Sequence, residues 1–348
     1  MRVCYFGIYN PSYSRNRILL SGLRQNGVEV VECVSRSNGI RKYVDLIKKH
    51  RALKRDYDVM VVGFPGYQVM LLAKFLGKKP IIFDCYSSLY DSEVWDRKLV
   101  RPRTPKALYY WFLDWAAMKL ADVVLFDTNA HIEYASKEYG IKKEKFKKIW
   151  IGAVTDVFRP LPGKDESGIF TVMFYGTFIP LQGIEYIMEA AHLLSLEKIH
   201  FIIIGNGQEK KKICAYAEYL QLKNVEFIDY LPQEQIVMEA EKADIFLGIF
   251  GNTNKVQRVI PNKVYECLAM RKPVITADTP AIRELFSENE LALVKTADGA
   301  SLATGILRLR NERKTRSEIA CNGYNKLSLY ASPSPLGRQL RNIISEML

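Results

Sequence analysis

The sequence predicts an α/β protein built from two Rossmann-like domains. Short apolar runs rich in β-branched and aromatic residues recur along all 348 residues, and amphipathic segments of helical length separate them. That alternation is typical of a parallel, doubly wound sheet. The pattern then restarts after a polar segment containing Pro and Gly, residues 159–168, which has the composition of a linker.

The predicted strands follow in chain order. Those of the first half are VCYFGI from Val3, VEVVECV from Val28, DVMVVGF from Asp58, PIIFDC from Pro80 and DVVLFD from Asp122. Those of the second half are FTVMFYG, IHFIIIG, VEFIDY, DIFLGIF, KPVITA and ELALVK. We therefore expect one domain at 1–155 and a second at 156–332, with one more helix at about 333–348.

Composition places the chain among soluble globular proteins, with 48% hydrophobic and 25% charged residues. No run approaches the roughly 18 apolar residues of a membrane span, and the first residues lack the pattern of a secretory leader. We expect a cytoplasmic protein. The six cysteines are scattered without metal-binding spacing, so we expect buried thiols, no disulfide and no metal site.

The net charge of +12 lies entirely in the first half of the chain. Residues 1–155 contain 27 Lys and Arg against 15 Asp and Glu, whereas residues 156–348 contain 23 of each. Such asymmetry indicates an anionic partner, either nucleic acid or a membrane surface, for the first domain. No nucleic-acid-binding motif accompanies the charge, which disfavours the first of these.

The segment 36–55 concentrates this charge between the second and third predicted strands. Its helical pattern gives an apolar set consisting of Ile40, Tyr43, Val44, Ile47 and Leu53. It fits either a solvated helix face or a device for binding anionic lipid, the latter through Lys48, Lys49, Arg51, Lys54 and Arg55. A later aromatic stripe, residues 106–120, has the helical spacing of a core helix.

Glycines follow the predicted strands at the places where ligands bind in such sheets, beyond the carboxyl ends. They are Gly7 in the first domain and, in the second, Gly176, Gly183, Gly205 and Gly207. Each alone is weak evidence, because a strand-to-helix turn needs glycine for its backbone geometry. Together they indicate a binding edge on each sheet.

The stretch RVIPNKVYECLAMRKPVI, residues 258–275, predicts an anion site. If Pro261 begins a helix, Lys263 lies in its first turn, where the helix dipole disfavours a cation. A bound anion removes that conflict, since free backbone N–H groups at a helix N-terminus also attract negative charge.

Four segments of the second half, in order, resemble the donor domain of retaining family 4 glycosyltransferases. They are FYGTFIPLQGIEYIMEAAHLL, FIIIGNGQEKKKI, VEFIDYLPQEQIVMEAEKADIFL and IPNKVYECLAMRKPVITADTPAIREL, preceded by IWIGAVTDVFRPLP, which resembles the interdomain segment. The resemblance covers nearly the whole chain. It implies the GT-B fold, with two domains facing across a cleft, a final helix that crosses back to the first domain, and a nucleotide-sugar donor with no metal or other cofactor required.

The same resemblance implies roles for particular residues. The donor diphosphate is expected at the helix start, with Asn262 and with Lys263 as its counter-cation, and the ribose hydroxyls on the Glu266 carboxylate. Tyr230 and Leu231 would contact the base.

Three positions depart from the family pattern. Arg258 stands where the family has a glutamate, and Thr177 and Gln182 replace an Arg and a Lys that bind diphosphate. One explanation is that Arg258 and the glycine-loop N–H groups take over the diphosphate, which we prefer because the surrounding motifs are kept. The alternative is a degenerate donor site in a non-catalytic, nucleotide-sugar-binding partner subunit.

On the acceptor side, the segment 83–97 follows the fourth strand. Asp91 or Asp84 would orient the acceptor hydroxyl, while Asp96 and Arg97 fit a structural ion pair. We expect a sugar to pass with retention from a UDP-sugar, the favoured donor, to a glycan or lipid-linked acceptor at an anionic membrane surface, in cell-surface polysaccharide or glycolipid synthesis. An epimerase lacks support, because no clustered acid and base groups accompany the donor motifs.

Overall fold

The structure, a computed structural model, describes residues 1–54, 56–161 and 168–348. The chain divides into two compact units. The N-terminal unit comprises 1–152 and 331–348, and the C-terminal unit comprises 153–330. Arg55 and most of the predicted linker, residues 162–167, lie outside the described residues.

The N-terminal unit contains a six-stranded parallel sheet of order β2-β1-β3-β4-β5-β6. Its strands are β1 (Arg2–Gly7), β2 (Glu29–Val34), β3 (Val59–Val62), β4 (Ile81–Tyr86), β5 (Val123–Phe126) and β6 (Phe146–Lys148). Its first helices are α1 (Ser14–Gln25), α2 (Arg41–Ala52), α3 (Met70–Leu76), α4 (Pro105–Leu120) and α5 (Asn129–Tyr139), with a π-helical turn at Asp91–Asp96 and 3-10 turns at Tyr67–Val69 and Lys143–Lys145.

The five strands predicted for this half are confirmed, and β3 and β5 are buried along their whole length, as expected for central parallel strands. Strand β6 was not predicted, because its three residues, Phe-Lys-Lys, carry no apolar pattern. Right-handed crossovers place α2, α3, α4 and α5 on one face of the sheet, and α1 on the other.

The C-terminal unit contains the second six-stranded parallel sheet, of order β12-β11-β10-β7-β8-β9. Its strands are β7 (Phe170–Tyr175), β8 (Ile199–Ile204), β9 (Val225–Ile228), β10 (Ile245–Leu247), β11 (Val274–Ala277) and β12 (Ala292–Val294). Its helices are α6 (Ile184–Leu193), α7 (Lys210–Tyr219), α8 (Gln233–Ala240), α9 (Asn262–Ala269), α10 (Pro280–Arg283), α11 (Gly299–Asn311) and α12 (Arg313–Tyr330), with 3-10 turns at Pro180–Gln182 and Asn254–Arg258.

This order is that of a Rossmann sheet, and all six predicted strands are confirmed. The direction of the chain through the sheet reverses between β7 and β10, which are hydrogen-bonded neighbours. In such sheets the crevice at the reversal, beyond the carboxyl ends of the strands, is where ligands bind. The fold therefore predicts a ligand-binding site between the loop after β7 and α9, the helix that follows β10.

The last helix, α13 (Pro333–Ser345), belongs to the N-terminal unit and packs against α1. The two helices approach so closely that a Cβ at Gly22 or Gly337 would overlap the backbone of the other helix. The predicted return of the final helix to the first half of the chain is confirmed.

The helices on the α2–α5 face depart from the sequence prediction. In α2 the buried residues are Leu46 and His50, whereas Ile40 and Val44, assigned to the apolar face, are exposed. The aromatic stripe of α4 was expected in the core, but only part of it packs there. The apolar side chains that α4 exposes are Leu108, Tyr109 and Phe112.

All six cysteines are free thiols, and four of them are buried: Cys4, Cys33, Cys85 and Cys267. Over the described ranges no helix combines the length and apolar character that a membrane crossing requires.

Candidate functional site

A cavity of about 260 Å³ opens in the C-terminal unit at the carboxyl ends of β7, β8 and β9. It is bounded on one side by α9 and on another by the start of α8. Six of the predicted site residues line it, namely Gly176, Thr177, Gly205, Tyr230, Leu231 and Glu266. The structure therefore brings together residues that are up to 90 positions apart in the sequence, where the sheet's reversal predicts a ligand.

Two of the residues that line this cavity are glycines at positions where a side chain would not fit. Gly205 has φ +137°, and a Cβ there would overlap the carbonyl oxygen of Gly176. Gly176 has φ +155°, and its own Cβ would lie 2.9 Å from the Lys263 Nζ atom. Both backbones are in a region that favours glycine, and both leave room for a neighbouring group to approach.

The N–H groups of the three predicted glycines are used within the fold. Gly176 donates to the Ile204 carbonyl at 3.0 Å, Gly205 to the Ile228 carbonyl at 2.9 Å, and Gly207 to the Asn206 side chain at 2.8 Å. Each of these N–H groups therefore has an acceptor within the fold, and their contact with a diphosphate stays a prediction. In this conformation the glycine loops determine the shape of the cavity wall.

Helix α9 begins one residue later than predicted. Pro261 is its N-cap, with an extended backbone at φ −70° and ψ 149°, and Asn262 is the first helical residue. Lys263 is still in the first turn. Seven of the eight residues of α9 are buried, including both charged ones, Lys263 and Glu266, so these two side chains face the protein interior beside the cavity.

Lys263 is held by neutral groups. Its ammonium donates to the Gln182 Oε1 atom at 2.5 Å, lies 3.5 Å from the Gly248 carbonyl oxygen, and sits 3.6 Å from the centre of the Phe174 ring. Burial lowers the pKa of this lysine well below its usual 10.5. A cation that is desolvated next to a cavity, without a carboxylate in hydrogen-bond contact, is prepared for an anionic ligand.

Glu266 lies one helical turn after Lys263 and lines the cavity. It accepts a hydrogen bond from the Tyr175 hydroxyl at 2.7 Å, and burial raises the pKa of Tyr175 well above 10. The tyrosine therefore stays a donor, and it orients the carboxylate. Sequence reasoning missed Tyr175, although its position directly before Gly176, at the end of β7, was a usable signal.

The opposite wall of the cavity comes from the turn after β9. Tyr230 and Leu231 line it there, followed by Gln233 and Ile236 in the first turn of α8. Tyr230 is largely exposed, so its ring is available to a planar ligand. Sequence reasoning also missed Phe158 and Asn206, which complete the lining.

Six predicted donor residues, Lys263 among them, lie outside the cavity lining. Gln182 is buried behind Gly176 and reaches the site through Lys263. Arg258 ends a 3-10 turn three residues before Pro261, Asn262 is the first residue of α9, and Gly207 lies in the loop between β8 and α7. Gly7 belongs to the N-terminal unit, at the carboxyl end of β1.

In the N-terminal unit, Asp84 is a structural residue and the expectation of an acceptor role is wrong. Its carboxylate is fully buried and pairs with the buried Arg15 guanidinium at 2.8 Å, which also donates to the Ile149 and Trp150 carbonyls. Arg97 contacts the Glu93 carboxylate at 3.4 Å, and the pair of Asp96 with Arg97 stays a prediction.

Asp91 begins the π-helical turn after β4 and is fully buried. Its N–H donates to the Ser88 hydroxyl at 2.9 Å, and Ser88 in turn donates to the Asp114 carboxylate at 2.8 Å. Asp114 also accepts from the Leu89 and Tyr90 N–H groups. Burial raises the pKa of Asp114 to about 6. This buried carboxyl holds the start of the Asp91 turn in place.

Within 1–54, 56–161 and 168–348, no group of three or more His, Cys, Asp and Glu is placed to hold a metal ion. The expectation that no metal is required stays a prediction.

Comparison with known families identifies the part of the chain that carries the cavity. The family described as glycosyl transferases group 1 matches residues 162–326. The match covers slightly less than half of the chain, and every residue that lines the cavity except Phe158 lies within the matched segment.

Among curated proteins, the chain is similar to the putative teichuronic acid biosynthesis glycosyltransferase TuaC of Bacillus subtilis (strain 168). It is 25% identical over 154 residues, which are 44% of this chain and 36% of the relative. The matched region thus spans about a third of the relative's length.

Solved structures resemble the whole chain and show the fold. Anabaena Alr3699/HepE in complex with UDP-glucose has a TM-score of 0.71 at 16% identity, covering 99% of this chain and 100% of that one. Sucrose-phosphate synthase from Thermosynechococcus elongatus has a TM-score of 0.75 at 13% identity, covering 99% and 98%. Both similarities cover the N-terminal unit as well as the C-terminal unit.

Proposed function

We propose that this protein is a glycosyltransferase that moves a sugar, with retention, from a nucleotide-diphosphate donor to a glycan or lipid-linked acceptor. A UDP-sugar is the favoured donor, and cell-surface polysaccharide or glycolipid synthesis the favoured setting. One observation carries the proposal: at the reversal point of a Rossmann sheet, the buried Glu266 of α9 lines a cavity, and the buried Lys263, one turn earlier, lies directly behind the lining residue Gly176. The group 1 family match supports the reaction class.

The donor fits the cavity by its charge. Its diphosphate is expected near Gly176, where only the absence of a Cβ lets the Lys263 ammonium approach. The charge that develops on the leaving diphosphate is then stabilised by a desolvated cation. Glu266, held by Tyr175, offers two acceptor oxygens for ribose hydroxyls, and the base is expected against Tyr230 and Leu231. The fold likeness to a structure containing UDP-glucose supports the choice of donor.

The acceptor role is assigned to Asp91. The turn that carries it is fixed by Ser88 and Asp114, so the carboxylate has a defined position after β4. Asp91 is fully buried in this conformation, so the assignment requires that acceptor binding exposes its carboxylate. An acceptor hydroxyl that then donates to this carboxylate would be oriented for attack, while the departing diphosphate takes its proton. No metal step enters this proposal, because Lys263 supplies the positive charge.

A donor-hydrolysis screen tests the proposal without knowledge of the acceptor. Purified full-length protein is incubated with UDP-, GDP- and ADP-sugars, and the release of nucleoside diphosphate is measured, since water replaces the acceptor. We expect turnover with a UDP-sugar that retains the anomeric configuration and is lost in Glu266→Gln. The matched control is Glu218→Gln on α7, which lies outside the cavity lining and should hydrolyse donor like the wild type.

Calorimetric titration separates the remaining outcomes. Nucleotide-sugar binding without any turnover would favour the non-catalytic partner subunit, for which Thr177 and Gln182 are the argument. Failure of all three nucleotide classes to bind would overturn the site itself. Asp91→Asn should keep donor affinity and lose transfer once an acceptor is found.

A further inference from the structure

The N-terminal unit exposes an apolar surface on two neighbouring helices. Helices α3 and α4 pack against each other on one face of the sheet. Their outward residues are Leu71 (72% exposed), Phe75 (83%), Leu108 (61%), Tyr109 (52%) and Phe112 (53%). We call these five side chains the α3–α4 surface. Leu71 and Phe75 are one turn apart, as are Leu108 and Phe112, so each helix presents a continuous ridge.

This exposure is large for a soluble protein. Single exposed apolar residues are common, but clusters of large aliphatic and aromatic side chains usually mark a contact site. Adjacent packed helices are about 8–10 Å apart, so the two ridges form one patch. Trp95 and Leu99 extend its edge, because the 91–100 segment packs onto the first turns of α4 through Val94 and Val100.

The patch is surrounded by positive charge. Exposed basic residues lie on or beside both helices: Lys74, Lys78, Lys79, Lys98, Arg101, Arg103, Lys106 and Lys119. The segments 70–79 and 97–120 contain one acidic residue, Asp114, and it is buried. Lys74 lies 3.7 Å from the exposed Asp122 carboxylate, so the rim is predominantly rather than uniformly basic. An apolar centre with a predominantly basic rim matches an interface in which acyl chains lie behind anionic headgroups.

We propose that the α3–α4 surface docks the protein on an anionic lipid bilayer. The charge also argues against a second copy of this chain as the occupant, because self-pairing would place two basic rims against each other. The sequence alone pointed to α2 for this role. In the structure the centre of the proposed membrane-binding surface lies on α3 and α4. Helix α2 packs against α3 and forms a basic flank of this surface, where Ile40 and Val44 are exposed.

Membrane docking goes beyond the proposed sugar transfer and does not depend on it. Its value to such an enzyme would be to bring the acceptor-side unit to lipid-linked substrates. The binding has two physical parts that can be separated by experiment. Apolar insertion is insensitive to salt, whereas attraction by the basic rim is screened within about 8 Å at physiological ionic strength.

The test is co-sedimentation of the full-length protein with vesicles. One set is phosphatidylcholine alone, and the other contains phosphatidylglycerol as the anionic lipid. We expect wild-type protein to sediment with the anionic vesicles at low salt and to be largely released at high salt. The apolar variant is Leu71→Ser/Phe75→Ser/Phe112→Ser, and its partition coefficient should fall at least about tenfold because three inserted side chains are lost. Trp95 fluorescence should shift to the blue on binding of the wild type.

A matched control uses exposed apolar residues of the other unit. Leu196 is 100% exposed and Tyr219 is 81% exposed, and Leu196→Ser/Tyr219→Ser should bind vesicles like the wild type. Substituting Lys48, Arg51 and Lys54 on the α2 flank with glutamine should weaken binding less than the apolar variant does. Circular dichroism and donor hydrolysis in the absence of lipid should be unchanged in every variant, which excludes misfolding.

Three outcomes would overturn the proposal. Wild-type protein could stay in the supernatant with anionic vesicles at low salt. The apolar variant could bind as well as the wild type. Light scattering could show a concentration-dependent dimer that the apolar variant abolishes, which would assign the patch to self-association.

Discussion

The two units bury charge in opposite ways. In the N-terminal unit, Arg15 and Asp84 are fully buried and neutralise each other, and two backbone carbonyls use the remaining guanidinium donors. In the C-terminal unit, the Lys263 ammonium contacts a neutral amide, a carbonyl and an aromatic ring. The first site is complete without a ligand, whereas the second leaves a desolvated cation beside a cavity.

Whether a buried charge has an ion-pair partner within the protein distinguishes a structural residue from a ligand-binding residue more reliably than the residue type does. Asp84 and Glu266 are both buried carboxylates near the ends of parallel strands. Asp84 is held by a guanidinium, so a ligand would have to displace a strong ion pair. Glu266 is held by the Tyr175 hydroxyl and lines open space, so a ligand hydroxyl can join it.

The largest expected effect comes from breaking the Arg15–Asp84 pair. Arg15→Met leaves a buried carboxylate without its partner, and we expect a loss of about 3–5 kcal/mol in the free energy of unfolding of the N-terminal unit. The double variant Arg15→Met/Asp84→Leu should recover part of that loss, because no charge stays buried. Urea denaturation followed by fluorescence measures both. A loss below about 1 kcal/mol in the single variant would mean that the pair behaves like a surface salt bridge.

Removing the unneutralised cation should affect binding and spare stability. Lys263→Met keeps the buried chain and its packing on Phe174 but deletes the charge, so we expect UDP affinity to fall about tenfold to a hundredfold. The melting temperature should stay level or rise, since the charge was buried at a cost. Titration calorimetry and thermal melts give the two numbers.

The matched control for Lys263 is another buried lysine of the same unit. Lys272 donates to the Ala243 carbonyl at 2.9 Å and does not line the cavity. Lys272→Met should keep wild-type UDP affinity. If both methionine variants lose affinity equally, the effect is structural and the site assignment fails.

The pH dependence of UDP binding sharpens the same contrast. Burial lowers the pKa of Lys263 in the free protein, and a bound diphosphate should raise this pKa again. At a pH above the pKa of the free protein, UDP binding is therefore accompanied by uptake of a proton. Affinity should therefore be constant below the lowered pKa and fall with rising pH between it and the ordinary value of 10.5. Calorimetry in buffers of different ionisation enthalpy measures the uptake. Lys263→Met should lose this uptake, and equal uptake in both proteins would contradict the prediction.

The smallest effect is expected at Arg258. It was predicted to take over diphosphate charge, yet it lies outside the residues that line the cavity. We expect Arg258→Glu and Arg258→Gln to change UDP affinity by less than about threefold, as small an effect as that of a weak surface ion pair, because the side chain does not line the cavity. A tenfold greater loss in the glutamate variant than in the glutamine variant would restore the relocation hypothesis.

The fold was predictable from the sequence because the buried strands of both sheets are short apolar runs that can be recognised without a structure. Eleven of the twelve strands were found, and β6 escaped because two of its three residues are lysines. The site residues on α9 were predictable for a related reason, since a lysine in the first turn of a helix conflicts with the dipole and calls for an explanation.

The failures concern pairings that no local pattern encodes. Arg15 lies 69 residues before Asp84, and nothing around either residue marks them as partners. The sequence also could not show that the N–H groups of the glycine loops have acceptors within the fold. Periodicity in α4 correctly predicted a helix. It could not show which of two hydrophobic faces would meet the sheet.

The close packing of α13 on α1 bears on the order of events during synthesis. The chain leaves the N-terminal unit at Gly152 and returns at Ala331, and a Cβ at Gly152 would overlap the Ala331 carbonyl oxygen. Residues 153–330 are continuous, so that unit has its whole sequence available as it emerges from the ribosome. The N-terminal unit, by contrast, must wait for residues 331–348 to be made before α13 can cover α1. A stop codon shortly before residue 331 would therefore damage a unit whose other residues precede it by about 180 positions or more.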